Sequence, residues 1–177
     1  MVGKSAQQYP DVVKLVADGG HAIGNHSWSH HAFTLVTSAD RLLQIRRCEE
    51  ALGEAGQKIF RPPYGMGSHR ANMDVLRLGY KLIGWSVESA DWHQTSEEFI
   101  ANSLINNIGP GSIVLLHDRI YDGGQPARGP ALDHNAVVER DTMLAALECV
   151  LEKMRASIQF VTIPELLRTG RAVRNQL

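Results

Sequence analysis

Along the chain, runs of apolar positions with a helical period alternate with short continuous apolar runs of strand type, which predicts a βα succession. Pro10 opens a helix through Val12, Val13, Leu15 and Val16, stopped by Gly19-Gly20. A strand over His21 to Gly24 follows, and then the polar stretch Asn25-His26-Ser27-Trp28-Ser29-His30. Ser38 is placed to cap a helix whose apolar positions Leu42, Leu43, Ile45 and Leu52 keep the period up to Gly53 or Gly56. Ile59-Phe60 reads as a strand running into Arg61-Pro62-Pro63-Tyr64-Gly65, where two prolines stiffen the loop. A helix from about Arg70 to Leu78 is closed by Gly79, and Lys81 to Val87 reads as one buried strand ending at Glu88-Ser89-Ala90-Asp91-Trp92. Thr95 and Glu98 have capping-box spacing for a helix through Phe99, Leu104 and Ile108. The most strand-like run, Ile113-Val114-Leu115-Leu116, leads to His117-Asp118. After a Gly- and Pro-rich loop over 119–139 come a long helix from Asp141 to about Arg155, a strand over Ile158 to Thr162 and a short helix over Pro164 to Leu167.

This succession predicts an α/β protein with a parallel sheet or barrel and about five strands. With 177 residues and no internal boundary, repeat or low-complexity segment, the chain reads as a single domain over 1–177. The composition, 44% hydrophobic and 21% charged, excludes a disordered chain. A net charge of -1 gives no reason to expect nucleic acid or an anionic membrane as a partner. The basic stretch from Arg168 to Arg174 reads as a solvated end. No apolar run reaches the length of a membrane span, and Met1-Val2-Gly3-Lys4 does not begin a signal peptide. Cys48 and Cys149 each fall within a helical pattern and read as helix-face thiols, not as a disulfide or a metal site.

The polar and ionisable residues collect after four successive strands: His26 and His30, then Arg61, then Glu88 and Asp91, then His117. In a parallel α/β fold those strand ends share one rim, where such proteins place their chemistry. His26 and His30, four residues apart, would lie on one face of a helical turn and could share a metal ion; a pair of structural histidines is the plainer alternative. Arg61 reads equally as an ion-pair partner of Glu88 or Asp91. Trp28, Trp85 and Trp92 read as core or pocket wall, and His31, His69 and His93 as solvent-facing; His134 lies in the long loop.

The segments Asn25-His26-Ser27-Trp28-Ser29-His30, Arg61-Pro62-Pro63-Tyr64-Gly65, Trp85 through Asp91-Trp92, and Leu115-Leu116-His117 together resemble the second to fifth motifs of the NodB-type polysaccharide deacetylases, carbohydrate esterase family 4, in order and separation. The resemblance implies a distorted (β/α) barrel, usually described with seven strands, and hydrolysis of an N-acetyl or O-acetyl group on a glycan such as peptidoglycan or chitin. It implies a divalent metal, zinc or else cobalt or nickel, with His26 and His30 as two ligands. It implies His117 as the general acid, Arg61 as the residue orienting catalytic carboxylates, the Tyr64 backbone N–H as an oxyanion donor, and Leu115 and Trp92 as walls of the acetyl pocket.

Two departures from the family pattern matter. Glu88 stands where the family usually has Asp, so its extra methylene shifts the carboxylate that tunes His117, or Asp91 shares that task. The family's first motif, an adjacent Asp pair supplying the third metal ligand and the general base, has no counterpart; Asp91, Asp118 and Asp133 are substitutes only by default. Val2-Gly3 resembles the tail of the family's second strand, so the expectation is a barrel incomplete at its N-terminus by one strand–helix unit, roughly 30 residues. Such a chain would expose strand edges at His21 and Ile158, which invites self-association. The resemblance further implies that a longer form works outside the cytoplasm. The alternatives to a glycan deacetylase are an inactive remnant that binds metal or sugar, completed by a partner or a longer chain, and a deacylase of a small non-glycan amide.

Overall fold

The computed structural model describes residues 1–92, 96–118 and 140–170, in two compact units, Met1–Gly84 and Trp85–Leu177. Thr95, His93, Asp133, His134, the 119–139 loop and the end of the basic stretch at Arg174 lie outside the described residues.

In the first unit three parallel strands, β1 (Ile23–Asn25), β2 (Gly56–Phe60) and β3 (Lys81–Leu82), form a sheet in sequence order. Four helices accompany them: α1 (Gly3–Gln8), α2 (Pro10–Asp18), α3 (Ser38–Leu52) and α4 (His69–Arg77). Met1 continues the sheet beyond β1. Its amine donates to the Gly24 carbonyl at 2.5 Å and its carbonyl accepts from His26 N at 3.0 Å, the two bonds a parallel ladder makes around Asn25. These two bonds cover the edge beside Asn25 and do not reach His21, which is exposed. Helix α1 was not predicted; its first amides, Gly3 N and Lys4 N, donate to the Ser27 and Trp28 carbonyls at 2.9 Å each, so the histidine loop satisfies them.

The apolar stripe of α3 differs from expectation. Leu43 is exposed, and the buried positions are Arg41, Ile45, Cys48 and Leu52, which recur at helical spacing along one face. Arg41 can be buried because its guanidinium is fully engaged: Nε and Nη2 lie 2.8 Å from Asp74 Oδ2, and Nη1 donates to the Phe33 and Val36 carbonyls. Ser38 adds a bond to the same carboxylate, at 2.8 Å, and the helix is capped by Thr37 and not by Ser38. Burial would push the Asp74 carboxyl up, but the Ser38 and Arg41 hydrogen bonds and the Arg41 charge hold it below the ordinary carboxylate range. Phe33, Ile45, Phe60, Ala71, Val75 and Tyr80 form one apolar cluster, and Ala6, Val13, Ile23, Cys48 and Leu52 form another.

Gly24 sets the spacing between β1 and β2, because a Cβ there would meet Ile59 Cγ1 at 2.9 Å and the Ile59 carbonyl at 3.1 Å. Gly24→Ala is expected to cost about 1–3 kcal/mol through overpacking, read as a lower urea midpoint.

The second unit holds a parallel pair, β4 (Val87–Glu88) and β5 (Val114–Leu115), with helices α5 (Glu97–Asn107), α6 (Asp141–Met154) and α7 (Ile163–Thr169). Val87, Ile100, Ala101, Leu104, Ala146, Val150 and Met154 make its core. Ser96 caps α5 by accepting from Phe99 N.

Two strand expectations need correction. The run Lys81 to Val87 is not one strand: it divides into β3 and β4, each with its own partner, and residues 83–86 between them are irregular. No strand forms over 158–162. Phe160 and Val161 are 44% and 37% exposed and have no ladder among the described residues, so their β propensity goes unused. Both cysteines are free.

Candidate active site

The end of β1 is anchored by the buried Asn25. Its Nδ2 donates to the Ile45 carbonyl at 2.8 Å and lies 3.3 Å from Tyr80 Oη, while its Oδ1 accepts from Ser27 N at 3.0 Å. That last bond turns the chain sharply, with Ser27 at φ 65° and His30 at φ 59°, and Ser27 Oγ accepts from His30 N at 3.0 Å. Residues with side chains seldom take this conformation, and here buried side-chain hydrogen bonds hold two of them in it.

The result is that His26 and His30 meet with ring centroids 4.8 Å apart at 71°. Their proximity is as predicted but its cause is not: the segment is no helical turn, and two left-handed residues bring the rings together. His26 Nδ1 lies 2.6 Å from the Arg61 carbonyl, which can only accept, so the proton sits on Nδ1 and the lone pair on Nε2. Burial first, then the charges of His30, the N-terminus and Arg61, pull the His26 imidazole down to about 3 against the upward pull of that carbonyl bond. His26 is therefore neutral at physiological pH, the form that ligates metals.

Arg61 follows β2, its amide donating to the Asn25 carbonyl at 3.1 Å and its Nη2 to the Gly84 carbonyl at 3.1 Å. Pro62 and the buried Pro63 then carry the chain to Tyr64, at φ 58°, whose ring stands 4.6 Å from that of His30. The first unit thus gathers His26, His30, Tyr64 and the Arg61 backbone.

In the second unit Ala90, at φ 57°, swings the chain after β4 so that the fully buried Asp91 side chain meets the end of β5. Its Oδ1 accepts from Ser89 Oγ at 2.9 Å and from His117 Nδ1 at 3.0 Å; its Oδ2 accepts from the His117 amide at 2.9 Å and from Arg140. Burial alone would raise the Asp91 carboxyl, but the His117 and Ser89 hydrogen bonds hold it below the usual range. Trp92 packs edge-on to His117, with centroids 5.6 Å apart.

Of the two carboxylates, Asp91 is the one that bonds His117. Glu88 is exposed, and it is its backbone carbonyl that accepts from Ser103 Oγ. Leu115 is buried and its carbonyl, 3.1 Å from Ser89 Oγ, is the alternative acceptor for that single hydroxyl proton; Asp118 is exposed. Arg140, at the start of α6, went unnoticed in the sequence. A cation at the N-terminus of a helix opposes the helix dipole, and that anomaly was the available signal.

The donor set suits a divalent ion. His26 and His30 are adjacent imidazoles, and the Arg61 carbonyl fixes the His26 tautomer as outer-shell partners of ligating histidines do. Among the described residues no third His, Cys, Asp or Glu gathers with them.

The profile of the polysaccharide deacetylase family matches residues 1–83. The chain is 29% identical over 175 residues to a peptidoglycan-N-acetylglucosamine deacetylase of Bacillus cereus, covering 97% of this chain and 58% of the relative. It is 31% identical over 159 residues to a chitooligosaccharide deacetylase of Azorhizobium caulinodans, covering 88% of this chain and 73% of the relative. Among solved structures, the family 4 carbohydrate esterase of Streptomyces lividans, in complex with acetate, superposes with a TM-score of 0.74 at 27% identity, over 99% of this chain and 81% of that one. The fold is thus the NodB-type distorted (β/α) barrel with parallel strands. The chain belongs to the polysaccharide deacetylase family. No helix among the described residues is long and apolar enough to cross a membrane.

Proposed function

We propose that the chain removes N-acetyl or O-acetyl groups from an N-acetylated glycan, of the peptidoglycan or chitin class, with a divalent metal. The observation that carries this reading is the pair of adjacent imidazoles, with His26 neutral and its Nε2 lone pair directed by the Arg61 bond. The named activities of the Bacillus and Azorhizobium relatives support the substrate class.

A zinc, cobalt or nickel ion held by His26 and His30 would supply Lewis acidity toward the amide carbonyl and a water of lowered pKa. The chain's own residues do the rest. The Tyr64 amide, in its tight turn, donates to the oxygen on which charge develops. Water adds to the carbonyl carbon, the C–N bond breaks, and His117 gives a proton to the departing amine. Because Asp91 takes the Nδ1–H of His117, that proton comes from Nε2. The proton of the attacking water passes to solvent, Arg61 holds the His26 ring through its carbonyl, and Trp92 and Leu115 line the acetyl methyl.

A second reading has one observation in its favour: among the described residues no third ligand joins the imidazoles. In it the chain is a silent metal- or sugar-binding module, completed by a partner, a second copy or a longer chain. A deacylase of a small non-glycan amide would use the same residues.

Acetate release from N-acetylglucosamine oligomers by the 177-residue chain separates these readings. The expected result is release with added zinc or cobalt, none after exhaustive chelation, and a loss of at least about a hundredfold in His117→Asn. Turnover that survives chelation overturns the metal-dependent mechanism. Stoichiometric metal without any release of acetate puts the silent module in its place.

A further inference from the structure

The geometry points to Arg140 as the positioning residue of the His117–Asp91 pair: its guanidinium ties the Asp91 carboxylate and the His117 backbone into one rigid unit and so fixes which nitrogen of His117 carries the proton. This rests on the reading of His117 as the acid. Nη2 bonds Asp91 Oδ2, Nη1 donates to the Asp91 carbonyl at 3.0 Å, and Nε donates to the His117 carbonyl at 3.0 Å.

Each arm of the guanidinium has a different acceptor, on two chain segments that lie 26 residues apart. Only a planar fork reaches all three at once; an ammonium at the same place could satisfy one or two. The Arg140 side chain is 12% exposed and that of Asp91 is fully buried, so water does not compete for these bonds as it would at a surface.

The carboxylate is completely used: two bonds to Oδ1 and two to Oδ2. Without Arg140, Oδ2 keeps the His117 amide alone, and the carboxylate can rotate away from Nδ1. The His117 carbonyl loses its donor at the same time, which frees the backbone that carries the ring. Both changes act on the Nδ1–H bond, and neither needs Arg140 to touch the imidazole. Among the described residues of this unit, Arg140 is the charged group that bonds the pair; Asp118 and Asp141 are exposed.

A purely structural ion pair would lower stability on removal and leave the imidazole of the folded chain as it was. The test therefore reads the ring itself. The full chain is labelled with 15N histidine, the His117 signals are identified by their loss in His117→Gln, and spectra are taken at mildly alkaline pH, where imidazole is neutral. The wild type is expected to show His117 as the pure Nδ1–H tautomer with a slowly exchanging proton. In Arg140→Gln the tautomers mix and the Nδ1 proton exchanges at least about tenfold faster, while circular dichroism shows a folded chain. Arg140→Lys, which keeps the charge and loses the fork, is expected to fall between the two, and it decides the matter if the glutamine variant does not fold. Wild-type tautomer and exchange in the folded variants overturn the inference, as does an Nε2–H tautomer in the wild type. These signals do not depend on turnover, so a chain that releases no acetate counts against the proposed function and not against Arg140.

Discussion

His26→Ala is expected to weaken zinc binding by the chain at least about a hundredfold, since loss of an outer-shell partner alone costs ligating histidines 10- to 100-fold. Titration calorimetry and metal content after gel filtration read the effect, with His30→Ala giving a loss of the same order. The expectation follows from how much of the first unit is committed to this ring. The Asn25 side chain turns the loop, Ser27 and His30 take left-handed conformations, and the Arg61 carbonyl fixes the proton on Nδ1. Desolvation keeps the imidazole neutral, so no proton has to leave His26 at neutral pH before a metal can bind. Undiminished affinity in both variants would show that the two histidines are a structural pair, and the metal-dependent reading would fall with them.

The parts of this arrangement that local spacing encodes were legible in the sequence. Pro10 opens α2 and Gly19-Gly20 end it, and the apolar runs at Ile23, Ile59 and Val114 are strands. The motif residues stand at strand ends as a parallel fold requires. What escaped depends on contacts between distant segments. Helix α1 is short and polar, and forms where its amides meet the carbonyls of the histidine loop. Arg41 looks like a solvated residue until Asp74, 33 positions later, is placed beside it. The spacing of Glu88, Asp91 and His117 leaves open which carboxylate serves the imidazole, because the answer lies in the φ of Ala90. Arg140 is separated from His117 by 23 positions, too far for any motif to connect them. The 158–162 run shows the opposite failure: strong β propensity, with no strand paired to it among the described residues.

Asp91→Ala is expected to destabilise the second unit by about 3–5 kcal/mol, whereas Glu88→Gln changes stability by less than about 0.5 kcal/mol. Removing the Asp91 carboxylate leaves Arg140 mostly buried without its anion, and strips acceptors from Ser89 Oγ, His117 N and His117 Nδ1. The Glu88 side chain is exposed. Hydrogen exchange at the amides of β4 and β5 isolates the effect on this unit. The pH dependence follows the same carboxyl. Its folded value lies below the ordinary 3.8, so the unfolded chain binds the proton first as pH falls. The stabilisation from Asp91 is therefore complete above about pH 5 and is lost as pH drops through the folded value, below 3.8. Asp74 behaves in the same sense in the first unit, where Arg41 and Ser38 hold its carboxyl down. Wild type and Asp91→Ala should accordingly converge in second-unit stability at strongly acid pH and differ most at neutral pH. Equal stabilities at neutral pH would mean that the Asp91 network is no tighter than a surface contact, and that the carboxylate serving His117 has to be sought elsewhere.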